Sequence, residues 1–145
     1  MATVQTLLDR KGTDVISIQP QATVTEAARR MNEHGVGGLL VVTGTGEVLG
    51  IFTERDILRR VVAPGLDGSK VRVAEVLTTA MISCLPDTSM EECAAIMSTR
   101  RIRHLPVMDE GGLRGLVTSG DVLAYRVAES EATVQYMNSY MFDIR

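Results

Sequence analysis

The sequence contains no tryptophan, and aromatic residues make up only 3% of its 145 residues. A folded core must therefore be built mainly from aliphatic side chains. Two cysteines, Cys84 and Cys93, are too few for a disulfide framework, which predicts a reduced, cytoplasmic protein. No apolar run approaches the roughly 18 residues that a membrane span needs, and the amino-terminal residues lack the apolar segment of a secretion signal.

Positive charge is also in short supply, with 15 Lys and Arg residues against 18 Asp and Glu residues. The resulting net charge of −3 argues against a nucleic-acid-binding surface based on bulk positive charge. The hydrophobic fraction of 45% and the charged fraction of 23% are those of an ordinary globular protein. The length predicts one domain, or two small units that share a core.

The chain contains an internal repeat, in which Met31 aligns with Met97 and Asp56 with Asp121. The gap between the two copies falls in glycine-bearing turns, where a change of length costs little. Each copy predicts an α+β unit with the order β-α-β-β-α. Because a unit of about 60 residues is marginal alone, we expect the two copies to pack sheet against sheet with pseudo-twofold symmetry.

The pattern also predicts where the elements lie. Hydroxyl and carboxylate residues that fit a capping box predict helix starts at Thr23 and Ser89. The predicted extended segments are 15–18, 39–42 and 48–52 in the first copy, and 81–84, 105–108 and 113–117 in the second. Second helices are expected near Thr53 and Thr118, and short leader helices at 4–8 and 73–77. The expected domains are 1–62 for the first repeat with its leader, 63–72 for a linker, 73–127 for the second repeat and 128–145 for a tail helix.

Two copies of one motif stand where a strand is expected to meet a helix. Residues 50–56 and 115–121 both read glycine, two apolar residues, threonine, two free positions and aspartate. Free N–H groups and the positive end of the helix favour a phosphate there, and the aspartate can accept hydrogen bonds from ribose hydroxyls. Threonine and aspartate at this spacing also form a helix cap, so both interpretations stay open.

With residues 101–107 before the middle strand of the second copy, this doubled motif resembles a pair of CBS domains over roughly residues 3–128. The resemblance implies a non-enzymatic regulatory module that binds an adenosine-containing ligand in clefts between the repeats. AMP is the first expectation, with ADP, ATP, NAD(H) or S-adenosylmethionine as alternatives. The resemblance also implies that the module signals energy or redox state to an unknown downstream protein. Such modules are commonly homodimers, and neither a membrane nor a nucleic-acid partner is expected.

The resemblance further implies two unequal binding clefts. The residues carried over are Thr53, Arg55, Asp56, Ile82, Ser83, Arg101, Arg103 and His104 for the first cleft, and Ile16, Gly38, Thr118 and Asp121 for the second. Aspartate is expected to hold the ribose and threonine to meet the phosphate. Glycines 35, 37 and 38 stand where the second copy has Arg101, Arg103 and His104. Because arginine binds phosphate bidentately, the first cleft is predicted to be the tighter AMP site.

Two other functions are alternatives to a nucleotide-binding module. An enzyme is disfavoured because the cysteines, histidines and acids form no recognisable catalytic set, and they are too dispersed to predict a metal site. An interaction scaffold with vestigial or empty nucleotide clefts is the alternative that remains. In the tail, Val134, Met137 and Met141 share a helical face, which predicts either docking on the protein's own core or a contact with a second chain.

Overall fold

The computed structural model describes residues 2–142, and the side chains of residues 2–139. The elements of the first half are α1 (Val4–Lys11), β1 (Ser17–Ile18), α2 (Val24–His34), β2 (Gly38–Val42), β3 (Val48–Thr53) and α3 (Glu54–Asp56), which continues as a π-helical segment (Ile57–Val62). The second half contains α4 (Val73–Val76), α5 (Met90–Arg100), β4 (His104–Asp109), β5 (Gly112–Thr118) and α6 (Ser119–Phe142). The predicted α+β class is confirmed, and the predicted element order is confirmed for the first copy. In the second copy the first predicted strand, 81–84, is reduced to an isolated bridge at Cys84, because only this residue pairs with β4.

The helix starts follow the predicted capping residues. The Thr23 hydroxyl accepts a hydrogen bond from the Glu26 backbone N–H at 3.1 Å, and the Glu26 carboxylate accepts from the Thr23 N–H. The Ser89 hydroxyl accepts from the Glu92 N–H, also at 3.1 Å. These bonds satisfy N–H groups that have no partner inside the helix. Sequence spacing alone therefore located the starts of both α2 and α5.

The chain divides into two compact units. Their residue ranges differ from the domain boundaries that the sequence predicts. The first-repeat unit is Asp14–Ile82, and the second-repeat unit combines Met1–Thr13 with Ser83–Arg145. The leader helix α1 thus groups with the second repeat, and the leader helix α4 with the first. Backbone hydrogen bonds explain the grouping of α1: Val4 N–H donates to the Thr88 carbonyl, and Gln5 N–H to the Pro86 carbonyl, each at 2.8 Å.

The first-repeat unit contains a three-stranded sheet in the order β1-β2-β3, with β1 parallel and β3 antiparallel to β2. Leu40 lies opposite Ile51, and Gly38 lies opposite Thr53 at the end of the sheet. One side of this sheet packs against α2 through an aliphatic cluster that includes Met31, Leu39 and Phe52. Phe52 is the one aromatic residue in this cluster, in agreement with the low aromatic content of the sequence.

In the second-repeat unit β4 and β5 form an antiparallel pair, with His104 opposite Thr118. Cys84 adds a single parallel bridge to Val107, with its N–H donating to the Pro106 carbonyl at 2.9 Å. Leu105, Val107 and Val117 are fully buried. β5 ends at Thr118, and α6 begins at the next residue, Ser119.

Helix α6 is one continuous helix of 24 residues, so the second helix of the repeat and the tail helix are a single element. Docking of the tail on the protein's own core, one of the two expectations, is wrong for Val134 and Met137, which are 55% and 53% exposed. The reason is geometric: Val134 lies about 18 Å further along the helix axis than the buried Val122. The side chain of Met141 lies outside the described part. Within residues 2–142, every helix is too short or too polar to cross a membrane.

Candidate functional site

The first motif forms a corner between β3 and α3 in which the carboxylate is buried. We call Thr53, Asp56 and the residues that contact them the Asp56 corner. The Thr53 N–H donates to Asp56 Oδ2 at 3.0 Å, and the Asp56 N–H donates to Thr53 Oγ1 at 3.4 Å. The Thr78 hydroxyl donates to Asp56 Oδ1 at 2.9 Å, and Arg60 Nε lies 3.6 Å from the same oxygen. Both carboxylate oxygens are thus occupied by groups of the protein.

The second motif forms the equivalent corner between β5 and α6, here called the Asp121 corner. The Thr118 N–H donates to Asp121 Oδ2 at 2.9 Å, and the Asp121 N–H donates to Thr118 Oγ1 at 3.2 Å. The ammonium group of Lys11 lies 2.6 Å from Asp121 Oδ2 and also donates to the Leu116 carbonyl at 2.8 Å. The Asp121 side chain is 22% exposed, against 9% for Asp56. The second carboxylate is therefore the more accessible of the two.

Helix capping, one of the two interpretations of the motif, is confirmed in both copies. In each corner the threonine hydroxyl accepts from the aspartate N–H, and the carboxylate accepts from the threonine N–H. Such reciprocal bonds satisfy two N–H groups at the start of a helix. Capping and ligand binding are compatible, because a carboxylate has about four lone-pair positions and the cap uses few of them.

The glycine of each motif has a packing role that the sequence pattern did not reveal. A Cβ atom at Gly50 would collide with the backbone carbonyl of Thr78, which pairs with Ile51. A Cβ atom at Gly115 would lie 2.8 Å from Cδ2 of Leu8 in α1. Each glycine therefore gives room to the segment that the fold places over its strand.

The basic residues before β4 lie beside the threonine of their own repeat. The Arg103 carbonyl accepts a hydrogen bond from the Ser119 N–H at 2.9 Å, and His104 is paired with Thr118. Arg101 directly follows α5 and caps its carboxyl end in the left-handed conformation, with φ 55°. Gly35 has the equivalent position after α2, with φ 62°. Arg101 and Arg103 are exposed and His104 is half-buried. A positively charged segment thus adjoins the Asp121 corner.

The first repeat has the same backbone arrangement without the positive charges. The Glu54 N–H donates to the Gly37 carbonyl at 3.0 Å, and Gly38 pairs with Thr53. A Cβ atom at Gly37 would lie 3.2 Å from Glu54 Oε2, so an acidic side chain occupies the space beside this glycine. The segment before β2 therefore offers backbone groups and a carboxylate where the segment before β4 offers cations.

The other predicted site residues divide between the units. Ile16, Arg55 and Ile82 belong to the first-repeat unit, and Ser83 to the second. Ile16 accepts a hydrogen bond from the Leu40 N–H, while Arg55 and Ser83 are exposed. Sequence reasoning missed Lys11 and Thr78, which complete the two corners. Lys11 is 110 positions from Asp121, and no local pattern could have indicated that contact.

The two cysteines lie together in the second-repeat unit, and both are buried. A hydrogen bond with Cys93, reinforced by burial, raises the pKa of Cys84. The same hydrogen bond lowers the pKa of Cys93, against the opposing effect of burial. A protonated thiol is a poor nucleophile, so Cys84 is suited to packing. Among residues 2–142, no group of three or more histidine, cysteine or acidic side chains is arranged to hold a metal ion.

Comparisons with known proteins agree with the repeat. A family model of the CBS domain matches residues 10–63 and 73–128. The CBS domain-containing protein YhcV of Bacillus subtilis (strain 168) is 36% identical over 124 residues, which is 86% of this chain and 87% of that protein. A hexameric CBS-CP12 protein from bloom-forming cyanobacteria is 30% identical, with a TM-score of 0.72 over 85% of this chain and 70% of that chain.

The crystal structure of a CBS-domain protein from Agrobacterium tumefaciens is 38% identical, with a TM-score of 0.82 over 87% of this chain and 95% of that chain. The fold is thus shared with CBS-domain proteins that this chain matches over most of both lengths. The chain belongs to the CBS-domain family, and its two copies form a CBS pair, a regulatory module in small proteins of this type.

Proposed function

We propose that this CBS pair is a non-enzymatic sensor of an adenine nucleotide, AMP first among the candidates. The observation that carries the proposal is the Asp121 corner, which combines a partly exposed carboxylate, a threonine hydroxyl and a helix start. Lys11, Arg103 and His104 add cationic or protonatable groups to the same unit. A nucleotide needs acceptors for its ribose hydroxyls and cations for its phosphate.

The Asp56 corner is proposed to contribute less to binding. The Thr78 hydroxyl and the Thr53 N–H already occupy its two carboxylate oxygens, and the side chain is 9% exposed. A ribose hydroxyl would have to displace the Thr78 bond and leave that hydroxyl without its partner, which costs free energy. Although the sequence assigned the tighter site to Thr53 and Asp56, the geometry of these two corners supports Asp121 as the stronger ribose acceptor.

The test is calorimetric titration of the full chain with AMP. Asp121→Asn and Asp56→Asn form a matched pair, because asparagine keeps an oxygen that accepts the capping N–H. We expect Asp121→Asn to weaken binding at least about tenfold, and Asp56→Asn to weaken it less than about threefold. Arg103→Ala should weaken AMP more than adenosine. Equal losses in the two asparagine variants would contradict the assignment of the carboxylates.

A thermal-shift series with AMP, ADP, ATP, NADH and S-adenosylmethionine tests the ligand class. A ligand at 100 times its Kd stabilises the folded state by about 2.7 kcal/mol. A shift with one adenosine compound, abolished by Asp121→Asn, would support the proposal. No shift with any of the five would contradict it.

The second candidate function is an interaction scaffold without a nucleotide. The observation that favours it is the contact between Lys11 and Asp121, in which the protein itself supplies a cation to the proposed ribose acceptor. Mass spectrometry of the denatured, freshly purified protein distinguishes the two functions. Co-purified adenosine compounds support the sensor, which would pass its signal to a downstream protein. Their absence, together with no thermal shift, supports the scaffold.

A further inference from the structure

The two cysteines of the second-repeat unit form a contacting pair that the proposed nucleotide site does not use. Cys84 lies just before the segment that leads into α5, and Cys93 lies on the buried side of α5. Their side chains share a hydrogen bond. Cys84 is 6% exposed and Cys93 is 0% exposed. Two thiols in contact are the starting point for a disulfide, which holds its sulfur atoms about 2.05 Å apart.

The repeat explains why the two sulfur atoms meet. In the first copy, Ile18 and Ala27 align with Cys84 and Cys93. Ile18 packs against a hydrophobic cluster that contains Ala27 and Val41. The backbone pairing is also shared, because Ile18 and Cys84 each pair in parallel with the next strand of their own unit. The fold of the repeat therefore brings these two positions together, and the second copy places a thiol at each.

The two thiols differ in how readily they lose a proton. The hydrogen bond with Cys84 lowers the pKa of Cys93, whereas the pKa of Cys84 is raised. The thiolate is the form that attacks an oxidant, so Cys93 is suited to react first and Cys84 to resolve the product. Leu85, the residue after Cys84, is 55% exposed. The pair therefore lies just beneath the surface, where local opening of the chain admits a small oxidant such as hydrogen peroxide.

The segment between the two cysteines, residues 85–92, holds the start of α1. The N–H groups of Val4 and Gln5 each donate at 2.8 Å to a backbone carbonyl of this segment. Helix α1 also carries Lys11, whose ammonium group contacts the carboxylate of the Asp121 corner. A covalent link between the two cysteines closes this segment into a loop. Because the loop anchors α1, the link braces the helix that completes the Asp121 corner.

We propose that Cys84 and Cys93 are a reversible redox pair that hydrogen peroxide converts to a disulfide, and that the disulfide strengthens the docking of α1. The Cys93 thiolate attacks one peroxide oxygen and breaks the O–O bond, which leaves a sulfenic acid and, with one proton taken up, releases water. The Cys84 sulfur then attacks the sulfenic sulfur, and the thiol proton leaves with the sulfenic hydroxyl as a second water. The two thiols lose two electrons and the peroxide gains them. A dithiol reductant reverses the change, and nucleotide binding is not required.

The first test treats the full chain with hydrogen peroxide, alkylates the remaining thiols under denaturing conditions and measures the mass of the tryptic peptide 73–100, which contains both cysteines. We expect a peptide that is lighter by two hydrogen atoms and takes no alkyl group, and dithiothreitol should restore both thiols. Cys84→Ser keeps a hydroxyl donor beside Cys93, so it should accumulate a sulfenic acid that dimedone labels. Cys93→Ser should give little label, because Cys84 holds its proton. Two persistent free thiols, or a disulfide only between two chains, would overturn the proposal.

The second test measures what the disulfide does to α1. In hydrogen–deuterium exchange, the Val4 and Gln5 amides should exchange at least about threefold more slowly in the oxidised chain. The thermal unfolding midpoint should rise by roughly 5–10 °C, because the link closes a loop in the unfolded state. The double variant with Cys84→Ser and Cys93→Ser is the matched control, since peroxide also oxidises methionine, of which the chain has eight. The control should show neither change. Unchanged exchange at Val4 and Gln5, or a lower midpoint in the oxidised chain, would overturn the role of the disulfide in docking α1.

Discussion

The Asp56 and Asp121 corners share one motif but differ in what covers them. In the Asp56 corner, the Thr78 hydroxyl lies 2.9 Å from the carboxylate, and the side chain is almost fully buried. In the Asp121 corner, the Lys11 ammonium lies 2.6 Å from the carboxylate, and more of the side chain is exposed. The segment over each corner comes from outside its repeat. Covering segments can therefore give duplicated motifs different chemistry without changing the motif itself.

The largest expected difference between the corners is the effect of a methyl group at the motif glycine. Gly50→Ala drives Cβ into the backbone carbonyl of Thr78, so we expect a loss of about 3 kcal/mol or more in unfolding free energy. Gly115→Ala meets a mobile methyl group of Leu8 and should cost about 1 kcal/mol.

Denaturant unfolding of both glycine variants measures this difference. Gly44→Ala is the matched control, because nothing lies within 4 Å of the added Cβ and the turn is open. It should change the unfolding free energy by less than about 0.5 kcal/mol. Equal losses at Gly50 and Gly115 would show that the two covering segments are equally rigid.

The second comparison removes each carboxylate. Asp56→Ala leaves the Thr78 hydroxyl and the Thr53 N–H without their acceptor in a buried site, so we expect a loss of about 2–3 kcal/mol. Asp121→Ala removes a more exposed cap and should cost about 1 kcal/mol. Thermal unfolding compares the two variants under identical conditions. A larger loss for Asp121→Ala would contradict the interpretation that burial determines the strength of these bonds.

The smallest expected effect concerns the cation in the Asp121 corner. Lys11→Met removes an ion pair whose partners are 28% and 22% exposed, so we expect a loss of about 0.5–1 kcal/mol. The wild-type protein should lose part of this contribution in high salt, whereas the variant should not. Thr78→Val in the other corner is the uncharged counterpart, and its effect should be insensitive to salt. Equal salt dependence of Lys11→Met and Thr78→Val would contradict the conclusion that Lys11 stabilises its corner through its charge and Thr78 does not.

Features set by short stretches of sequence could be predicted. The starts of α2 and α5 follow from Thr23 and Ser89, because a hydroxyl that accepts an N–H three residues later is a local interaction. The ends of β2, β3, β4 and β5 lie within one residue of their predicted positions, since continuous apolar runs between glycine turns determine them. The first extended segment of each copy was predicted too long: β1 covers only Ser17–Ile18, and the segment 81–84 is reduced to a bridge at Cys84. Capping by Thr53 and Asp56, one of the two interpretations that the sequence left open, is a local interaction of the same kind.

The parts that could not be predicted depend on contacts between distant residues. The grouping of α1 with the second repeat rests on bonds to Pro86 and Thr88, which no local pattern indicates. Lys11 and Thr78 lie outside the two motifs, so their contribution to the corners became visible only in the fold. The continuity of α6 was missed because the repeat boundary suggested a break near residue 128 that the helix does not have.

The sequence by itself determined the duplication, the α+β class, the helix caps and the family, because each depends on residue types at fixed short spacings. The tertiary structure decided which carboxylate is buried, which leader helix covers which repeat and which face of α6 stays exposed. These outcomes depend on the balance between burial, desolvation and close packing across more than a hundred positions, as between Lys11 and Asp121. That balance is a property of the folded chain, because the atoms concerned come together only on folding.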